Sequence, residues 1–224
     1  MSHNVACIVA HPDDEVLACG ASLALHANAK DLVSVLILST GLGARNELSQ
    51  RSLLKLRDQA RRAADLLGVT VVEFGEFPDN AMDTVPLLDV IQRVEGFISE
   101  FPADIIYTHH AGDLNVDHRV VNAATLTACR PLPGRGHSAI LACEVSSSTE
   151  WGAPPFAPFL PSEFIDVSST IETKMQALQC YEGELRPWPH PRSLKGVKSL
   201  AEWRGVQVGL DAAEAFMTSR RIRS

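Results

Sequence analysis

The sequence lacks the long apolar segments that membrane proteins need. No stretch approaches the roughly 20 consecutive apolar residues that span a bilayer, and the opening residues, MSHNVACIVAH, carry no basic segment of the kind that begins a signal peptide. Basic charge is also scarce, because 20 lysines and arginines stand against 27 aspartates and glutamates. These absences predict a cytoplasmic protein that binds neither membranes nor nucleic acid.

Two short motifs are absent as well. The cysteines form no Cys-x-x-Cys pair, and most have apolar neighbours, which favours reduced thiols in the core over disulfides. Zinc ligation by the two cysteines within the first twenty residues is the alternative. No G-x-G-x-x-G string is present, so the usual dinucleotide-binding fingerprint gives no support to a nucleotide site.

The remaining pattern alternates apolar, β-branched runs with amphipathic helical segments. Strands are predicted at residues 5–10, 31–40, 69–74, 103–109 and 139–145, and helices at 16–29, 47–67, 87–100, 117–129, 172–181 and 199–216. Such alternation is typical of an α/β protein, here a Rossmann-like, mostly parallel sheet with helices on both faces. With 224 residues and no repeat or clear linker, the chain is predicted to form one domain, residues 1–224.

Polar residues collect where the predicted strands end. The string AHPDDE, residues 10–15, follows the first strand, and HHAGDLNVDH, residues 109–118, follows the fourth. The loops TGLGARN and PDNAMD follow the second and third strands. Because ligands bind at the carboxyl ends of strands in such sheets, we expect these four loops to meet at one edge.

His11, Asp14 and His118 have the composition of a catalytic metal site. Two imidazoles and one carboxylate form a common ligand set, which suits zinc best but also accepts other first-row ions. Metal-bound water has a pKa near 7 and supplies hydroxide, and Asp13 is then available as the general base. Alternatively, Asp13 or Asp14 caps a helix and His11 is an ordinary loop histidine.

The strings AHPDDE and DLNVDH together resemble the LmbE/PIG-L family of metal-dependent N-deacetylases. The segments ARRAADLLGV and FPDNAMD extend the resemblance over most of the chain. The resemblance implies a Rossmann-like fold and a zinc ion held by His11, Asp14 and His118. It also implies that Asp13 is the general base and that an N-acetyl group is removed from an N-acetylglucosamine-type amino sugar or its conjugate.

One position departs from the family pattern. Many members have HPDH where this chain has NVDH, so Asn115 replaces a histidine thought to support the oxyanion or to protonate the leaving group. Asn115 can donate a hydrogen bond to an oxyanion but cannot act as an acid. His190, between two prolines in PWPHPRS, is the preferred replacement. The alternatives are His110 and a second proton transfer by Asp13 itself. The alternative for the loop of His190 is a structural role, for example at a contact between subunits of a homo-oligomer.

A further group of side chains is expected to bind the small-molecule substrate: Arg45, Arg57, Asp79 and Arg192. Arg57 is equally well explained as a surface residue of a charged helix. Asp117, next to His118, either orients that imidazole or caps a helix. Two other classes of protein remain open: an iron(II) oxygenase with a two-histidine, one-carboxylate site, and a non-catalytic sugar- or nucleotide-binding module.

Overall fold

The structure is a computed structural model that describes residues 2–41, 50–132 and 136–223. Within them, seven strands form one sheet: β1 (Asn4–Val9), β2 (Leu32–Ser39), β3 (Val71–Phe77), β4 (Ile105–His109), β5 (Ala139–Cys143), β6 (Glu163–Asp166) and β7 (Ala213–Arg221). The α-helices are α1 (Asp14–Asn28), α2 (Gln50–Leu67), α3 (Leu87–Glu100), α4 (Val116–Ala128), α5 (Ile171–Gln179) and α6 (Leu194–Val206). None of the helices in this part of the chain combines the length and apolarity needed to cross a membrane.

The strand order of the sheet is β3-β2-β1-β4-β5-β7-β6. The first five of these strands are parallel, and β7 runs antiparallel to both β5 and β6. The chain moves outward from β1 to β3 and then returns to the other side of β1 to form β4. The strand order therefore reverses between β1 and β4, and such a reversal opens a crevice at the carboxyl ends of the two strands.

Both faces of the sheet are covered by helices. Along β1, alternate side chains enter two separate cores: Val5, Cys7 and Val9 pack with α1, α2, α5 and α6, whereas Ala6 and Ile8 pack with α3 and α4. Because a strand buried on both faces has no solvent-facing positions, β1 and β2 are almost continuously apolar. The predicted α/β fold is confirmed.

Helix α1 is interrupted at Cys19, whose φ of −146° and ψ of 19° are not helical. Glu214 of β7 accepts hydrogen bonds from the backbone N–H groups of Ala21 and Ser22, at 3.1 and 2.7 Å. The buried Lys174 ammonium of α5 donates to Glu214, at 2.6 Å, and to a backbone carbonyl of the preceding turn, at 2.8 Å. This buried ion pair supplies partners that the interrupted backbone lacks.

The C-terminal third differs from the prediction. The helix predicted for residues 199–216 is confirmed only as far as Val206, where α6 ends, and it is wrong beyond that because residues 213–221 form β7. The run AEAF is buried as a strand inserted between β5 and β6, a pairing that local periodicity does not reveal. The short strand β6 was not predicted. Residues 42–49, which include Arg45 and the start of the predicted second helix, lie outside the described residues.

Candidate active site

The three candidate metal ligands converge at the crevice between β1 and β4. His11 follows β1, Asp14 begins α1, and His118 lies in the first turn of α4. His11 Nδ1 is 3.1 Å from Asp14 Oδ2, and His118 Nε2 is 3.2 Å from the same oxygen and 3.3 Å from His11 Nδ1. The backbone N–H of His11 also donates to Asp14 Oδ2, at 2.8 Å, so the local turn aligns the first two ligands.

This donor set fits a divalent metal ion. Two ring nitrogens and a carboxylate oxygen lie within 4.8 Å of one another. Asp14 Oδ1 is buried without a hydrogen-bond partner among the described residues. A buried carboxylate oxygen with no donor is costly, and a cation held beside two imidazoles would remove that cost. His11, Asp14 and His118 are therefore the residues that would hold the ion.

Each histidine has a carboxylate beside its outer nitrogen. His11 Nε2 lies 2.9 Å from Asp117 Oδ2 and 3.2 Å from Asp79 Oδ1. His118 Nδ1 lies 3.1 Å from Asp113 Oδ1. Outer carboxylates of this kind fix the tautomer and orientation of an imidazole. Asp117 thus contacts His11 rather than its chain neighbour His118.

Asp113 is a site residue that the sequence analysis did not single out. Besides facing His118, it accepts hydrogen bonds from the hydroxyls of Ser148 and Thr149, the second at 2.5 Å, and from the backbone N–H of Asn115, at 2.8 Å. These contacts and the neighbouring positive charge of His118 outweigh burial and lower the pKa of Asp113. The sequence signal was its place as the first residue of DLNVDH.

Asp13 has a strained backbone and a restrained carboxylate. Its φ of 107° lies in the left-handed region, which residues other than glycine seldom occupy. Its N–H donates to Glu15 Oε2, at 3.1 Å, and Arg192 Nη1 donates to its Oδ2, at 2.9 Å. The other Glu15 oxygen accepts a hydrogen bond from the Tyr181 hydroxyl. Such strain persists only where the surroundings determine the conformation, as they do in this site.

Burial shifts the proton affinities of these groups strongly. Burial raises the pKa of Asp13 to about 7 against the opposing effect of Arg192, and burial raises the pKa of Glu15 to about 8. For His11, burial acts to lower the pKa, but the carboxylates of Asp117 and Asp14 outweigh it and raise the value to about 10. A carboxyl group that titrates near pH 7 is suited to accept and return a proton under physiological conditions.

The ring of His109 packs against the candidate metal ligands. Its ring stacks on that of His118, with centroids 3.8 Å apart and planes 7° from parallel. Its Nε2 accepts the backbone N–H of Ala10, at 2.8 Å, and burial lowers its pKa to about 3. The neutral ring therefore packs against His118 without competing for the proton. The adjacent His110 lies elsewhere, within 2.9 Å of the carbonyl of Ala157.

An open cavity of about 190 Å³ lies over the site. Its polar lining is provided by His11, Asp13, Asp79, Asn80, Asn115, Glu184 and Arg192. Asn115 is the N-cap of α4: its Oδ1 accepts the N–H of Asp117, at 2.8 Å, and its Nδ2 donates to Asn80 Oδ1, at 2.9 Å. The structure thus brings Asp13, Asp79, Asn115 and Arg192 together with the candidate ligands.

His190 is placed next to the cavity lining rather than in it. Its Nδ1 accepts the backbone N–H of Arg192, at 3.1 Å, and its ring meets the Trp151 ring edge-on, with centroids 5.9 Å apart. The residues that line the cavity in the described part of the chain do not include His190. Its contact with the active-site region runs through the backbone of Arg192.

The structure does not confirm two of the predicted substrate-binding arginines. Arg57, on α2, contacts β3: its Nη2 is 3.5 Å from the carbonyl of Gly75, and its guanidinium lies over the ring of Phe74 at 5.2 Å. It does not line the cavity among the described residues. Arg45 lies outside the described residues. Substrate binding by either arginine stays a prediction.

Comparisons with known proteins show which proteins this chain resembles. Residues 6–129 match the family described as PIG-L: GlcNAc-PI de-N-acetylase. A relative from Escherichia coli K12, the uncharacterized deacetylase YaiS, is 30% identical over 181 residues, which cover 78% of this chain and 88% of the relative. The 4-oxalmesaconate hydratase of Pseudomonas putida KT2440 is 26% identical over 237 residues, which cover 97% of this chain and 87% of the hydratase.

A solved structure supports the fold independently. The A40926 pseudoaglycone deacetylase Dbv21 superposes on this chain with a TM-score of 0.76 at 21% identity, and the alignment covers 100% of both chains. The family match spans more than half of the chain, and the resemblance noted in the two sequence motifs is confirmed. The protein is an enzyme of the deacetylase class. The chain therefore belongs to the PIG-L family of de-N-acetylases.

Proposed function

We propose that this protein is a zinc-dependent hydrolase that removes the N-acetyl group from an amino sugar or amino-sugar conjugate. The observation that carries the proposal is the meeting of His11, Asp14 and His118 with Asp13 beneath an open cavity. Family membership supports deacetylation. A set of two imidazoles and one carboxylate supports zinc among the divalent ions.

The chain's own residues prepare the site for amide hydrolysis. His11, Asp14 and His118 would hold the ion. When bound, a divalent ion polarises the amide carbonyl and lowers the pKa of a water molecule. Asp117 and Asp113 hold the two imidazoles so that His11 Nδ1 and His118 Nε2 both face Asp14.

Asp13 carries the proton in this proposal. It accepts a proton from the attacking water, and Arg192, 2.9 Å away, keeps its carboxylate in place. Asn115 donates its second amide hydrogen to the oxyanion that develops on the acyl oxygen. When the carbon–nitrogen bond breaks, Asp13 returns the proton to the leaving nitrogen, so that acetate and a free amine depart.

His190 has a supporting part in this scheme. Its Nδ1 is occupied by the N–H of Arg192, and its ring packs against Trp151. It therefore contacts the backbone of the residue that holds Asp13, and it transfers no proton in this mechanism. Asp13 serves as both base and acid, which also accounts for the asparagine at position 115.

Water addition is the second candidate, because the hydratase relative aligns with 97% of this chain. Hydration also begins with attack by a deprotonated water molecule, so the same residues could catalyse either hydration or deacetylation. The acidic lining of the cavity favours deacetylation, since Asp79 and Glu184 would repel the carboxylates of a polyacid substrate.

A paired screen separates these reactions. Zinc-loaded protein is incubated with a panel of N-acetylated amino sugars, and free amine is measured with and without a chelator. The same protein is incubated with unsaturated dicarboxylates and tricarboxylates, and loss of their ultraviolet absorbance is followed. Chelator-sensitive amine release supports the proposal, whereas hydration of the acids without any amine release would overturn it.

A further inference from the structure

The cavity over the candidate metal site is strongly acidic. Among residues 2–41, 50–132 and 136–223, its lining contains the carboxylates of Asp13, Asp79 and Glu184 and a single guanidinium, that of Arg192. Asp14, Asp113 and Asp117 lie directly beneath. Among these described side chains, carboxylates outnumber positive charges even when a bound divalent ion is counted as two positive charges.

Arg192 is not positioned as a receptor for a substrate anion. Its Nη1 donates to Asp13 Oδ2, at 2.9 Å, and its Nε donates to Ser147 Oγ, at 2.8 Å. Glu184 Oε2 lies 3.9 Å from the same Nη1. Two carboxylates therefore already offset the charge of this guanidinium, and an entering carboxylate or phosphate would compete with them for it.

We propose that the active site selects amino-sugar substrates whose remaining part is uncharged or carries an ammonium group, and that it discriminates against carboxylated or phosphorylated ones. The inference rests on the proposed deacetylation. The free amino group of an amino sugar takes up a proton around neutral pH and below, so a partly deacetylated oligomer carries positive charge there. Asp79 and Glu184 attract such a cation into the cavity and repel an anionic counterpart.

The size of the effect follows from Coulomb's law for a substrate charge held inside the cavity. Unit charges about 6 to 8 Å apart, in the partly screened environment of an open cavity, change an equilibrium by about 3- to 10-fold. Each step from an anionic to a neutral to a cationic substrate should therefore raise kcat/KM by about that factor. Because the cavity is open to solvent, salt should compress the differences.

Three matched disaccharides provide the test. Each has N-acetylglucosamine as the non-reducing unit, linked to glucose, glucosamine or glucuronic acid, and amine release is measured on the zinc-loaded enzyme at low and high sodium chloride. The expected order of kcat/KM is glucosamine, then glucose, then glucuronic acid, with smaller ratios at high salt. An equal or reversed order overturns the charge selectivity alone. If none of the three releases amine, the proposed deacetylation falls with it.

A variant that replaces one cavity carboxylate with a neutral amide tests whether that carboxylate causes the selectivity. Glu184→Gln should raise kcat/KM for the glucuronic acid substrate by about 3- to 10-fold and lower it for the glucosamine substrate. Glu182→Gln is the matched control: it lies on the same loop, but its side chain is 69% exposed and faces Lys55 at 3.9 Å. Ratios that stay unchanged in Glu184→Gln, or shift equally in both variants, contradict the assignment of selectivity to the cavity carboxylates.

Discussion

At the scale of single residues, Asp13 is the group that transfers the proton in the proposed mechanism. Three features coincide there: a left-handed backbone, full burial of the carboxyl group and a guanidinium at 2.9 Å. Burial and the arginine oppose each other, and the resulting pKa of about 7 leaves the group able to take up and release a proton. None of these features is visible in the string HPDD itself.

Asp13→Asn tests this assignment. The change is nearly isosteric and removes the proton acceptor, so kcat should fall by about 10² to 10⁴, the usual worth of general base catalysis. Zinc content, measured by elemental analysis, should be unchanged. Asp58→Asn, on the exposed side of α2, is the control and should retain full activity. Near-normal turnover of Asp13→Asn at saturating zinc would remove Asp13 from the mechanism.

Asp113 should matter for metal affinity. Asp113→Asn removes the charge that faces His118 Nδ1 at 3.1 Å. Loss of such an outer carboxylate typically weakens a metal site by about 10- to 100-fold, and competition with a chromophoric chelator measures the dissociation constant. Asp83→Asn, on the surface of the loop after β3, should leave it unchanged. An unaltered constant in Asp113→Asn would mean that Asp113 does not support the ligand.

Metal binding should release protons. Without the ion, the carboxylates of Asp117 and Asp14 hold the pKa of His11 at about 10 against the effect of burial. The ring is then protonated at pH 7 and must lose a proton to become a ligand, so affinity should rise with pH up to about 10 and fall in acid. Calorimetry in buffers of different ionisation enthalpy should detect about one proton or more released per ion. Binding without proton release would contradict the assignment of His11.

The sequence was informative about residue types but not about side-chain partners. HxxD across a turn and a later DH suggested the ligand set, because both strings follow strands that end at one edge. The pairing of Asp117 with His11 depends on how α4 is rotated against the turn after β1, which a sequence does not state. The two prolines around His190 indicated a stiff loop but not that its ring faces Trp151.

At the scale of elements, helix α1 links the candidate site to the C-terminal half of the chain. The N-terminal turn of α1 carries Asp14, and the interruption at Cys19 is stabilised by Lys174 and Glu214 from α5 and β7. Both side chains of that ion pair are about 4% exposed. The position of a candidate ligand thus depends on elements roughly 160 to 200 residues further along the chain.

Lys174→Met tests the role of this ion pair in stability. Removing one partner leaves the Glu214 carboxylate buried without its counter-charge, which typically costs about 3 to 5 kcal/mol. Urea unfolding followed by circular dichroism should show the decrease. Lys198→Met, which breaks an exposed pair with Glu172, should leave the unfolding midpoint nearly unchanged. Equal stability of Lys174→Met and the parent protein would show that the pair is dispensable.

Predictability also varied among the elements. Helix α3 was predicted with the bounds Leu87–Glu100 that the structure shows, since its amphipathic period is regular. The first four residues of strand β7 were predicted as helix because the strand conformation depends on pairing with β5, whose partner residues lie about 73 to 82 positions earlier in the chain. Local pattern decides an element only where distant pairing does not override it.

At the scale of the whole molecule, topology and charge have separate roles. The reversal of strand order between β1 and β4 creates the crevice, and the same family scaffold is shared with a deacetylase and a hydratase relative. A fold therefore does not decide the reaction. For this chain we propose that the acidic cavity limits which substrates reach the site, and that His11, Asp14 and His118 determine where hydrolysis occurs.

The most direct test of the account is to measure deacetylation as a function of zinc bound. Protein stripped with a chelator is titrated with zinc, and released acetate and amine are quantified by NMR for an N-acetylated sugar that the screen identifies. Activity should rise in proportion to occupancy, level off at about one ion per chain, and be absent from the His11→Ala/His118→Ala variant at the same zinc concentration. Full activity in the stripped protein, or in the variant, would contradict the central claim that these residues form a hydrolytic metal site.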